Sequence, residues 1–131
     1  MTVAKENVAR CASRSLSFLQ EMQQKMGDDA KFVLDIKQAV RSKEDPMQML
    51  KTLGSGVVHV HMSDHGEYGD CLQIGAGRFA VKSFLQTLAQ LSPNCTIVLE
   101  LYRSGFRTLQ DLLHNDHILQ RMIQSCQEKE E

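Results

Sequence analysis

Three side chains with metal-binding chemistry each stand near the C-terminal end of a separate apolar, β-branched run. They are Asp35 in Lys31-Phe-Val-Leu-Asp-Ile-Lys-Gln-Ala39, His61 in Val57-Val-His-Val-His-Met-Ser-Asp64, and Glu100 in Cys95-Thr-Ile-Val-Leu-Glu-Leu-Tyr102. In a closed parallel sheet the C-terminal strand ends meet at one mouth, so residues distant in sequence become neighbours there. An aspartate, a histidine and a glutamate together suit a hard or borderline divalent cation: Mn²⁺, Mg²⁺, Co²⁺ or Zn²⁺. The alternatives are an ion pair with Lys37, which alternation puts on the strand face of Asp35, and a satisfied core histidine at position 61. His59 points the same way one step deeper, as a supporting group.

Periodicity locates the elements that must hold these residues. Val8, Cys11, Leu16, Leu19, Met22 and Met26 recur at helical spacing and predict one long helix over residues 6–26, stopped by Gly27. Residues 32–36 read as a strand buried on both faces. Asp45-Pro46 starts a second helix, with Met47, Leu50 and Leu53 on one face. Residues 57–62 form the next strand, and 64–77, with four glycines, a long loop. A helix over 79–91, a strand over 96–101 and a final helical region opened by Thr108 and Asp111 follow, with a break expected at Asn115-Asp116 and a frayed tail over 127–131. Helices and strands alternate without hairpin dipeptides, which predicts right-handed βαβ units and a parallel sheet in one domain, residues 1–131.

The chain has 131 residues, whereas a closed eight-stranded barrel needs roughly 250. The fold class expected is therefore α/β, a partial (half) TIM barrel of parallel strands alternating with helices. With 15 basic and 16 acidic residues there is no single-sign field to attract nucleic acid or a membrane surface. The four cysteines form no C-x-x-C pair and the N-terminus has no apolar signal-peptide core, so a soluble cytoplasmic protein with reduced thiols is expected.

His59-Val-His-Met-Ser-Asp64, the loop ending Leu72-Gln-Ile-Gly-Ala-Gly-Arg-Phe79, and Ile97-Val-Leu-Glu-Leu-Tyr102 occur in an order that resembles the C-terminal half of the xylose-isomerase-like barrels. That superfamily groups sugar and sugar-phosphate isomerases and epimerases with the apurinic endonucleases. The resemblance implies a divalent metal held by two glutamates, an aspartate and a histidine from different strands. Asp35, His61 and Glu100 match three of these; the first glutamate would precede the opening helix, and no residue is assigned to it. Gln38 stands where relatives commonly have a histidine; it can hydrogen-bond a sugar hydroxyl but cannot titrate. Asp64 is a candidate for orienting substrate, or else a turn organiser. Gly75-Ala-Gly77 offers a phosphate-cradling turn or a tight bend.

The implied chemistry is proton transfer beside a sugar carbonyl, with a cation stabilising the enediolate and Glu100 serving as both ligand and acid or base. Without a second glutamate, turnover by the isolated chain is expected to be weak or absent. Two classes of function follow. One is a sugar or sugar-phosphate isomerase or epimerase, completed by a second copy or by an N-terminal half. The other is a non-catalytic half-barrel remnant or partner-binding module. Too few histidines and no basic surface argue against an endonuclease. His114 and His117 read as a solvated helix face, and Cys71 as an inert thiol.

Overall fold

The computed structural model describes residues 1–128; the part of the expected frayed tail over 129–131 lies outside the described residues. Six strands and five helices follow one another: β1 (Lys5–Glu6), α1 (Leu16–Met26), β2 (Phe32–Asp35), α2 (Ile36–Arg41), α3 (Pro46–Leu53), β3 (Val57–Met62), β4 (Asp64–Gly66), β5 (Gly69–Leu72), α4 (Val81–Leu91), β6 (Thr96–Leu99) and α5 (Leu109–Gln127). Four strands form a parallel sheet in the order β1-β2-β3-β6. Helices cover one face. Phe32, Leu34, Val60 and Met62 project into a core shared with Leu50, Phe84, Leu88 and Leu119.

The parallel register fixes what the opposite face carries. Glu6 pairs with Val33, Val33 with His59 and His59 with Thr96, so these four form one row. Asp35, His61 and Val98 form a row two residues nearer the C-terminal strand ends. Directly paired residues share a face and alternate residues return to it, so both rows point away from the helices.

Several expectations are corrected. The predicted helix over 6–26 is shorter: its first part is β1 and a 3-10 turn, and α1 starts at Leu16, where Ser15 Oγ accepts from Phe18 N. Strand pairing overrides the apparent periodicity, because Lys5 N donates to Lys31 O and the Asn7 side chain continues the ladder. Its Nδ2 donates to Asp35 O at 3.0 Å, and Asp35 N donates to Asn7 Oδ1 at 2.7 Å. Ile36 belongs to α2 rather than to the strand, because the Asp35 carboxylate caps the helix by accepting from Gln38 N at 2.9 Å. The 64–77 loop contains an antiparallel hairpin, β4–β5, which a search for hairpin dipeptides does not find. The last helix runs unbroken through Asn115, whose buried side chain exchanges two hydrogen bonds with the Ile74 backbone. The helices opened by Asp45-Pro46 and by the Thr108–Asp111 capping box occur as expected.

Candidate metal centre

Four elements deliver side chains to the C-terminal edge of the sheet. Asp35 ends β2 and is 2% exposed. His61 lies one residue before the end of β3, and Glu100 directly follows β6, where its N–H still donates to Met62 O. The fourth is Glu6 at the end of β1, a glutamate before the opening helix that sequence reading left unassigned. Its strand has two residues and no hydrophobic alternation, so the only available signal is the pairing itself.

His61 Nδ1 is the hub. It lies 2.8 Å from Glu100 Oε2, 3.3 Å from Asp35 Oδ2 and 3.4 Å from Glu6 Oε1. Donor atoms of Glu6, Asp35 and His61 all fall within 4.8 Å of one another. Glu6, Asp35 and His61 form the mutually close set and Glu100 adjoins it through His61 Nδ1; carboxylate oxygens beside one imidazole nitrogen are donors of the kind that Mn²⁺, Co²⁺, Mg²⁺ or Zn²⁺ accepts. Burial, followed by the neighbouring Asp35 and Glu100 charges, holds the Glu6 carboxyl above its ordinary value despite the opposing influence of His61.

Lys37 also reaches the centre, although from α2 rather than from a strand. Its Nζ donates to Glu100 Oε1 at 2.7 Å and lies 3.7 Å from Asp35 Oδ2. Burial works against its charge, but the Glu100 hydrogen bond and the two carboxylates outweigh this and hold the ammonium above the usual lysine value. The ion pair weighed as an alternative for Asp35 is therefore present alongside the cluster.

The remaining sequence candidates have distinct settings. Gln38 Oε1 accepts from Ala9 N at 2.9 Å and lines a cleft of 460 Å³ with Val8, Ala9, Arg10, Arg41 and Tyr102. Tyr102 joins that cleft to the centre, its ring centroid lying 4.5 Å from Lys37 Nζ. His59 Nδ1 lies 2.6 Å from Thr96 Oγ1, and its ring meets His61 edge-on at 5.2 Å. Burial and the nearby His61 push its pKa down, favouring the neutral imidazole.

Asp64 is buried and fully engaged as a turn organiser: its carboxylate accepts from the N–H groups of His65, Gly75, Gly77 and Phe79. No oxygen is left facing the centre, so the turn-organising alternative describes its place. Gly77 has to be glycine, since a Cβ there would collide with His65 O and Asp64 Oδ1. The Gly75 and Gly77 amides that could have cradled phosphate are spent on Asp64. His114 and His117 are exposed on α5, and Cys71 is buried with its thiol raised in pKa by burial.

No protein-family model matches this sequence, and no curated protein matches it. Solved structures do. A D-tagatose 3-epimerase-like protein matches with a TM-score of 0.77 at 22% identity over 100% of this chain and 50% of its own. D-psicose 3-epimerase from Clostridium cellulolyticum H10, a structure with D-tagatose, matches with a TM-score of 0.60 at 17% identity over 94% of this chain and 46% of its own. The chain thus has a partial α/β barrel fold, and spans about half the length of the structures it matches.

Proposed function

We propose that this chain carries the metal-dependent proton-transfer site of a sugar isomerase or epimerase. The observation behind this reading is the convergence of Glu6, Asp35 and Glu100 on His61 Nδ1 from four strands or strand ends. Glu6, Asp35, His61 and Glu100 would hold the ion, which when bound supplies charge stabilisation for an enediolate. Glu6 and Glu100 come from opposite edges of the sheet, so each can serve one face of a sugar bound between them. One accepts the proton from the carbon beside the carbonyl, and the other returns a proton to the opposite face. The cleft bordered by Gln38, Arg41 and Tyr102 offers amide, guanidinium and phenol groups for sugar hydroxyls. The solved neighbours, described as a D-tagatose 3-epimerase-like protein and a D-psicose 3-epimerase, make ketohexoses the first substrates to try. Four free cysteines are compatible with a reducing cytoplasm.

The test is deuterium exchange. Mn²⁺-loaded protein incubated with D-tagatose or D-psicose in D₂O should introduce deuterium beside the carbonyl, read by NMR, and Glu6→Gln and Glu100→Gln should each abolish epimerisation. Bound Mn²⁺ without exchange for any ketohexose or its phosphate would reject the enzymatic reading.

A second reading rests on the sheet edges. Among the described residues β1 and β6 each pair on one side only, and the matched structures are about twice as long. A complementing half or a second copy of the chain would cover these edges. In that reading the half-barrel acts as a partner-binding module.

A further inference from the structure

We propose that Lys37 is a resident counter-cation of the carboxylate centre, competing with a divalent ion for Glu100 and Asp35 and so setting how tightly the chain holds that ion. This rests on the metal-centre reading above, and concerns the strength of binding.

The Lys37 side chain is 5% exposed and enters from the first turn of α2, two residues after Asp35. Its ammonium takes Glu100 Oε1 at 2.7 Å, while Glu100 Oε2 lies 2.8 Å from His61 Nδ1. One carboxylate is thus divided between an ammonium and the imidazole that would share an ion with it. Asp35 is divided likewise: Oδ1 caps α2, and Oδ2 lies between His61 at 3.3 Å and Lys37 at 3.7 Å. A divalent ion gathering these oxygens must take them from Lys37 or sit beside a fixed positive charge. Either weakens its binding, and poor solvation strengthens the repulsion. The ammonium is also held over the Tyr102 ring, 4.5 Å from its centroid, and an aromatic face stabilises a cation there. Charge count favours coexistence too: three carboxylates against one ammonium leave what one divalent ion balances.

Calorimetric titration of Mn²⁺ into chelator-treated protein decides the matter, with wild type, Lys37→Met, Lys37→Arg and His61→Ala compared. Lys37→Met should bind Mn²⁺ about tenfold or more tightly than wild type, since removing a like charge at this range changes affinity by at least that factor. Lys37→Arg, which keeps the charge, should bind no more tightly than wild type, and His61→Ala should abolish binding. Should Lys37→Met not fold, Lys37→Gln carries the same comparison. If neutral variants bind no more tightly than wild type while His61→Ala abolishes binding, the proposal is wrong and the metal centre stands. Equal tightening in Lys37→Arg and Lys37→Met also overturns it, since charge is then not the cause. No Mn²⁺ binding by wild type or neutral variants removes the centre and the proposal together.

Discussion

Glu6 Oε1 lies 3.4 Å from His61 Nδ1, with strand β2 between the strands that carry the two residues. The register explains the reach: Glu6 occupies the row just below Asp35 and His61, on the same face, and a glutamate is long enough to extend one row upward. This contact adds a second glutamate to a centre for which the sequence offered one.

Glu6 is therefore expected to matter for ion binding. At Mn²⁺ about a hundredfold above its dissociation constant, mass action stabilises the folded chain by about 2.7 kcal/mol. Glu6→Gln should lose most of the corresponding rise in melting temperature, measured by differential scanning fluorimetry. A variant with the full wild-type rise would take Glu6 out of the centre.

Asp64→Ala should act on stability. It strips a buried acceptor from four backbone N–H groups, and leaving several of these without partners costs about 3 kcal/mol or more. Urea unfolding should show that loss, while the folded fraction keeps its response to Mn²⁺. A stable variant with altered sugar affinity would instead make Asp64 a substrate contact.

Arg41 grips Asp70 with two hydrogen bonds, of 2.7 and 2.9 Å, and these hold the Asp70 carboxyl below its ordinary value. A lowered folded-state pKa means stabilisation that is complete above the unfolded value of 3.8 and lost as pH falls through the folded value. The pair is partly exposed, so Asp70→Asn should cost about 0.5–1 kcal/mol at pH 6. The two stability curves should converge in acid, once pH has fallen below the lowered folded value. A constant gap throughout the acid range would exclude the ion pair as its source.

Asn115→Leu should destabilise the chain by about 2 kcal/mol, because it leaves the Ile74 N–H and C=O buried without their partner. Chemical denaturation with an unchanged midpoint would show that this anchor between α5 and the glycine loop is dispensable.

Long, strongly patterned pieces of the fold were legible in the sequence. The runs at 57–62 and 96–99 are apolar and β-branched, and the helices at 46–53 and 109–127 carry Asp45 and Thr108 as caps. The spacing of Asp35, His61 and Glu100 at strand ends sufficed to foresee their meeting, because strand ends in a parallel sheet share an edge. What escaped were features created by tertiary pairing. Residues 5–6 are a strand only because Lys31 and Val33 stand beside them, and Asn7 imitates a strand residue with its side chain. Lys37 stands beside Asp35 as alternation expected, but it arrives from α2 and its hydrogen bond to Glu100 was not foreseen. Asp64 stood open between orienting substrate and organising a turn, because a lone loop aspartate does not reveal how many amides the folded loop will aim at it.

The centre draws on β1 at one margin of the sheet and on the residue after β6 at the other, with β2 and β3 between. An ion held by Glu6 and Glu100 together would act as a tie-rod across the full width of the sheet, fixing the arc along which its four strands bend.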